Sequence, residues 1–212
     1  MFLSRLMLNP RNRATQIALS NLEILHAAVE AAVNRSEGSG RTLWRIDTLR
    51  GNLYLLIVSE LEPKLDGIAE QFGFLEGEGE TKNYDPFLRK IENGQVWRFK
   101  LTCNPTKAVK ETPDPQRRGK ICSVLKEKDQ IEWLIKQGQK NGFTVRPETI
   151  RISNKNNYHF KKGKNKPYVQ FLSISFEGVL VVENAALLTQ ALTAGIGREK
   201  AYGQGLLTLM RI

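Results

Sequence analysis

Histidine takes up and gives off protons near neutrality, and this 212-residue chain has two histidines, His26 and His159. His26 ends the stretch Asn21-Leu22-Glu23-Ile24-Leu25-His26, in a helix expected over about 21–33 with Leu22, Leu25, Val29 and Val33 on one face. It stands at the border of that face, where it is either a core-edge histidine or an acid–base group aimed into a cleft. Glu23, three residues earlier, shares its side of the helix. Ser20-Asn21-Leu22-Glu23 reads as a capping box with Ser20 at the N-cap. The same carboxylate would alternatively orient His26 or favour its protonated form.

His159 lies in a basic run. Arg151, Lys155, Lys161, Lys162, Lys164 and Lys166 fall within sixteen residues that contain no acidic side chain, interleaved with Tyr158 and Phe160. Such a hairpin is either simply solvated, or it holds phosphates with its lysines and stacks unpaired bases on its rings. Arg117-Arg118-Gly119-Lys120, after a proline-rich stretch with Pro105, Pro113 and Pro115, is a second cationic cluster, a clamp or a linker. Residues 195–205, Gly-Ile-Gly-Arg-Glu-Lys-Ala-Tyr-Gly-Gln-Gly, hold two Gly-x-Gly clusters five residues apart. Lys200 occupies the third glycine position of a dinucleotide fingerprint, and the segment lies between a helix and the last strand, the reverse of that motif's order. Gly195, Gly197, Gly203 and Gly205 permit positive φ and close backbone approach to a phosphate, with Arg198 and Lys200 adding charge. A helix cap followed by a tight turn explains the same glycines.

The elements that must position these residues fall into two similar series. The first has a strand at 2–9, the helix carrying His26, strands at 43–49 and 52–59 joined by a turn at Arg50-Gly51-Asn52, a weaker helix at 64–72, a glycine-rich acidic loop at 73–85 and a strand at 96–101. The second has a short strand at 119–125, a helix at 127–140, strands at about 144–153 and 168–182 flanking the basic hairpin, a helix at 184–194 ending at Gly195, and a strand at 206–210. Both fit β-α-β-β-α-β, the ferredoxin-like arrangement, so an α+β chain of tandem ferredoxin-like (RRM-like) units is expected.

The charge is divided between the halves. Residues 1–94 carry 11 basic and 13 acidic side chains, and residues 95–212 carry 21 basic and 9 acidic, so the second half holds the whole net +10. This places a domain boundary near 94 and makes a polyanion, most simply nucleic acid, the expected partner of the second unit. Cys103 and Cys122 form neither a CxxC pair nor a Cys/His cluster, so they read as buried thiols with no disulfide or zinc site, and no metal or other cofactor is expected. No apolar stretch is long enough to span a membrane and no signal pattern opens the chain, so a cytoplasmic protein is expected.

With these residues assembled, the sequence resembles the repeat-RNA-processing endoribonucleases of CRISPR systems. The resemblance runs the full length and rests on the glycine-rich segment before the last strand. Met1-Phe2-Leu3-Ser4-Arg5, the early His26 and Asn104-Pro105-Thr106-Lys107 favour the CasE branch. It implies two ferredoxin-like domains that bind a CRISPR repeat stem-loop and cut at the base of the stem without a metal, leaving a 5′-hydroxyl and a 2′,3′-cyclic or 3′ phosphate. Mature crRNA and other Cascade subunits are the implied partners. His26 would be the general acid or base, and Lys162 or Lys164 would meet the scissile phosphate. Glu23 departs from the tyrosine that many members carry there. Arg117, Arg118, Lys120, Arg151, Lys155, Tyr158, His159, Lys161, Lys166 and the glycine segment would hold RNA. A non-catalytic RNA-binding subunit is the alternative, and a DNA-binding protein a third reading.

Overall fold

A computed structural model describes residues 1–34, 40–74, 79–109, 119–163 and 167–212. The strands are β1 (Phe2–Leu8), β2 (Leu43–Leu49), β3 (Asn52–Ser59), β4 (Glu80–Asn83), β5 (Val96–Cys103), β6 (Thr106–Val109), β7 (Lys120–Ser123), β8 (Phe143–Val145), β9 (Arg151–Lys161), β10 (Tyr168–Val182) and β11 (Leu207–Met210). The helices are α1 (Arg13–Ser20), α2 (Leu22–Val33), α3 (Asp66–Phe72), α4 (Asp85–Leu88), α5 (Glu127–Lys140) and α6 (Ala185–Ala194). Among the described residues no helix is long and apolar enough to cross a membrane.

One antiparallel sheet has the order β2-β3-β1-β4, and a second has β11-β5-β10-β8 with β9 paired to β10. Each is the ferredoxin-like order, reached twice: β1-α2-β2-β3-α3-β4, then β5-α5-β8-β10-α6-β11. The hairpin β6-β7 and the long strand β9 are insertions in the second unit. The turn between β2 and β3 has Arg50 and Gly51 both at positive φ, as a two-residue hairpin loop requires.

Four sequence expectations need correction. The strand expected at 96–101 does not close the first series, since β5 pairs with β10 and β11 in the second sheet. The first sheet is closed instead by β4, inside the segment expected to be a loop. Its residues, Glu-Thr-Lys-Asn, carry no apolar signal. They are held by backbone pairing to β1, by Ser4 Oγ···Thr81 Oγ1 at 2.9 Å and by Arg5 Nη2···Glu80 Oε1 at 2.8 Å. Helix α1 is also absent from the sequence expectation, since only Thr15 and Ala18 of its eight residues are buried. Cys103 is buried, but Cys122 only half so.

The two units share their cores. Leu43 and Val58 of the first sheet join the cluster around β5, β10, α5 and α6, while Phe160, Phe171 and Tyr202 of the second half join the cluster around β1, β3, α2 and α3. Strand β2 is consequently buried on both faces from Leu43 to Arg45. Arg45, 1% exposed, fastens the sheets together. Its Nη1 donates to the carbonyls of Leu206 (2.9 Å) and Lys100 (3.1 Å), and its Nη2 to Asp47 Oδ2 (2.7 Å) and Thr208 Oγ1 (2.9 Å). Lys100 Nζ completes the group, reaching Asp47 Oδ1 at 2.5 Å and Glu177 Oε1 at 3.1 Å. A buried charge is tolerated only when it is paired and hydrogen-bonded; Asp47 pairs this one and four bonds hold its two terminal nitrogens, while Nε is buried without a partner. Arg45→Ala is therefore expected to lower unfolding free energy by about 3 kcal/mol, the scale for breaking a buried ion pair, measured by urea denaturation.

Candidate active site and nucleic-acid interface

Helix α2 sets the site. Its N-cap is Asn21, whose side-chain oxygen accepts from the Glu23 backbone N–H at 3.2 Å. The expected Ser20 capping box does not form. Ser20 is the last residue of α1, and its hydroxyl donates to the Ile17 carbonyl at 2.8 Å. The Glu23 side chain is thereby released from capping. Leu22, Leu25, Val29 and Val33 face the core as the periodicity required. His26 lies beside them with its side chain 25% exposed and its Nδ1 3.8 Å from Glu30 Oε1. Nδ1 itself is buried and makes no hydrogen bond. The exposed edge of the ring is thus the one that carries Nε2.

The glycine-rich segment packs against the other side of His26. A one-turn 3-10 helix at Lys200–Tyr202 brings Tyr202 edge-on to the imidazole, with ring centroids 6.0 Å apart and planes at 75°. Close packing on the first unit is what the glycines allow. A Cβ at Gly195 would come within 2.7 Å of Leu43, and one at Gly203 within 2.8 Å of the Trp44 ring, with φ at +74° and +72°. Trp44 Nε1 donates to the Ala201 carbonyl at 3.2 Å. Gly195 ends α6, but its ψ of 161° is not that of a left-handed cap. Gly203 and Gly205 are buried, whereas Gly197 and Arg198 are exposed. Arg198 forms a β-bridge with Asn104, which ties the Asn-Pro segment to this loop. Lys200 Nζ donates to the Ala194 carbonyl at 2.7 Å, and burial, with Arg41 as a neighbouring cation, pulls its pKa down.

The hairpin β9-β10 lies along the opposite flank of α2. Lys161 and Lys162 line a groove of about 550 Å³ with Asn21, Glu23, Ile24 and Gln71, and Asn21 Nδ2 donates to the Lys161 carbonyl at 3.4 Å. The structure thus gathers Glu23, His26, Lys162 and the glycine segment around one helix end. Lys164, Lys166, Arg117 and Arg118 lie outside the described residues. Arg151, Lys155 and Lys120 are exposed on strands, away from this cluster along β9 and β7.

The alternation of β9 corrects the expected stacking surface. Phe160 is 5% exposed and belongs to the core, and Tyr158 is half-buried against Phe171 at 5.3 Å, where burial raises its pKa. His159 and Lys161 face outward on the other side of the strand. The open aromatic surface is His159 stacked on Tyr168, 4.6 Å between centroids, with Lys161 Nζ 5.6 Å from the Tyr168 ring. Sequence reasoning missed both Tyr168 and Tyr202. The available signals were a tyrosine just past the hairpin tip and another inside the glycine interval.

A half-buried histidine where two ferredoxin-like units pack, on a helix whose start borders a groove lined by Lys161 and Lys162, is an arrangement suited to a polyanion such as nucleic acid. The profile of a family described as CRISPR associated protein matches residues 1–211, and the chain belongs to that family. It is 28% identical over 221 residues, 99% of each chain, to the CRISPR-associated endoribonuclease Cse3 of Thermus thermophilus. It is 34% identical over 126 residues, 57% of this chain and 60% of the relative, to the CRISPR system Cascade subunit CasE of Escherichia coli. A solved structure of the CRISPR endoribonuclease Cse3 bound to a 19-nucleotide RNA superimposes with a TM-score of 0.83 at 27% identity, covering 99% of this chain and all of that one.

Exchanging the two adjacent cap candidates separates them. Asn21→Ala is expected to cost about 1 kcal/mol, the typical worth of an N-cap, and exposed Ser20→Ala less than about 0.5 kcal/mol, both read from thermal melts.

Proposed function

We propose that this chain is a CRISPR repeat-RNA endoribonuclease that binds the repeat stem-loop and cuts at the base of the stem, releasing mature crRNA. The observation that carries the reading is His26, buried at Nδ1 and open at its other edge, facing the glycine-rich segment beside a lysine-lined groove. The 2′-hydroxyl attacks the adjacent phosphorus and loses its proton to a base. The 5′ oxygen leaves with a proton from an acid, so the products are a 2′,3′-cyclic phosphate and a 5′-hydroxyl. His26 serves one of these transfers. Cations stabilise the crowded phosphorane, a role that falls to Lys162 or Lys164. The reaction written this way moves protons between side chains and RNA and calls on no metal.

The second unit, residues 95–212 in this reading, supplies most affinity through phosphate contacts, with His159 and Tyr168 offering a face to an unpaired base. The first unit, residues 1–94, supplies the helix of His26. The enzyme works in the cytoplasm, where it keeps hold of its product and joins other Cascade subunits.

The test is cleavage in EDTA of a labelled repeat hairpin. Wild-type protein is expected to cut the RNA at the stem base. His26→Ala is expected to bind normally and cut about 10²–10⁴-fold more slowly, the usual worth of a general acid or base. A substrate with a single 2′-deoxy at the scissile nucleotide should bind and stay intact. Tight binding with no cleavage by wild-type protein under any condition would transfer the chain to the non-catalytic RNA-binding reading. Phosphate contact makes a separate prediction: Lys161→Ala should weaken binding to all hairpins alike and reduce the slope of log K against log salt by about 1.

A further inference from the structure

Strand β9 changes face once along its length. Ile152 stands opposite Phe176 of β10 and Asn154 opposite Ser175, so Ser153 is the extra residue of a β-bulge. Its hydroxyl donates to the Ser175 carbonyl at 3.4 Å. Side chains alternate along a strand, so without the extra residue Asn154, Asn156 and Tyr158 would follow Ile152 onto the face packed against α5 and α6. The bulge turns them to the other face, beside Ser173 and Ser175, where all five line an interdomain cavity of about 360 Å³. Bulges recur beside active sites, where they re-aim side chains.

The cavity has two unlike walls. Leu19, Ile46 and Leu53 of the first unit are apolar and half-buried, whereas the second unit contributes hydroxyls and amides. The inner polar groups engage one another, Thr102 with Ser175 at 2.7 Å and Ser173 with Gln204 at 2.9 Å. Asn154 and Asn156 are exposed at the rim. The charged residues of the lining are matched, Arg45 and Lys100 against Asp47 and Glu177. A phosphate therefore meets no cation there without a carboxylate beside it. A neutral, flat group with a hydrogen-bonding edge is what such a lining takes, and the volume falls within the range of about 300–1,000 Å³ of small-ligand sites. Tyr202 borders the cavity and also meets His26 edge-on, so the cavity adjoins the site.

We propose that this cavity is a base-binding subsite for one unpaired nucleotide that flanks the repeat stem beside the scissile bond. The proposal rests on the endoribonuclease reading. The face of the base lies on Leu19, Ile46 and Leu53, and its edge meets Asn154 and Asn156, whose amides each offer donors and an acceptor. Such an edge is free only where the base is unpaired. The subsite therefore selects a single-stranded flank and adds a base-dependent grip, which phosphate contacts do not provide. A stem held by its phosphates and a flanking base held beyond Tyr202 together fix which phosphodiester lies at His26.

The experiment measures the dissociation constant of the full-length protein for the repeat hairpin with its unpaired flanks, and for a set of hairpins in which each flanking nucleotide in turn is abasic but keeps its ribose and phosphate. The same set is titrated against the double variant Asn154→Ala/Asn156→Ala, with a thermal melt as the check on folding. Wild type is expected to lose about 10-fold in affinity at one abasic position beside the cut, the scale of one base contact. The double variant should bind the intact RNA and that abasic RNA within about twofold of each other. In wild type, 4-thiouridine at the sensitive position should crosslink to the segment 153–156. A penalty that persists in the double variant, or a crosslink elsewhere, assigns the base to another surface and overturns the proposal. Indifference of wild type to every abasic substitution overturns it too, and leaves the cavity as a joint between the units. If the hairpin is still bound and cut in those cases, the endoribonuclease reading stands without the subsite. If wild type neither binds nor cuts the hairpin, that reading falls and takes the subsite with it.

Discussion

The structure depends on a guanidinium buried between two sheets. Arg45 leaves β2 and spends the donors of its two terminal nitrogens on two carbonyls and a hydroxyl of the second unit and on Asp47 of its own strand. Burial lowers the pKa of Arg45 and Asp47 opposes the effect, but the group stays charged. A charge in such a place demands geometry: its donors are fixed in one plane and accept only partners that lie there. The angle between the sheets is thereby specified in a way that the apolar contacts around it, which tolerate sliding, would not achieve. Polar pairs continue the same face, Thr102 with Ser175 at 2.7 Å and Ser173 with Gln204 at 2.9 Å. They line an interdomain cavity of about 360 Å³ that Leu22, Trp44 and Tyr202 also border.

The site inherits this angle. His26 is the histidine of α2, and part of its surroundings comes from the far half of the chain. Tyr202 and Phe171 arrive from the second unit, and Lys162 from the tip of its hairpin. The glycines serve this convergence first. Gly195 and Gly203 allow the loop to lie against Leu43 and Trp44 at distances no larger residue permits, and the exposed part of the loop, Gly197 and Arg198, is then presented beside the helix. A motif whose glycines the sequence left open between a phosphate cradle and a helix cap with a tight turn is here the joint between units.

Legibility in the sequence followed the strength of local signals. Helix α5 and strands β2 and β3 match their expected bounds because apolar periodicity and, at Arg50-Gly51, turn chemistry agree. Strand β4 was hidden because an edge strand of four polar residues draws its stability from its neighbour, not from its own composition. The cap of α2 was misplaced by one residue because Ser20 and Asn21 are both good caps, and only the unseen α1, ending at Ser20, decides between them. His26, Glu23 and Lys162 were legible as candidates. Tyr202 was not, because its role is defined by a contact across nearly the whole chain, whereas spacing arguments work within a few turns. The outward aromatic surface was likewise misread at Phe160, since one register step along β9 exchanges core and solvent.

The contact between Trp44 and Ala201 joins residues 157 positions apart. At about 5–20 residues per second, on the order of ten to thirty seconds of translation separate the first from the second. A nascent chain thus displays its histidine helix long before the loop that completes its surroundings leaves the ribosome. The surroundings of His26 are completed only once the glycine-rich segment has been made and has packed on the first unit.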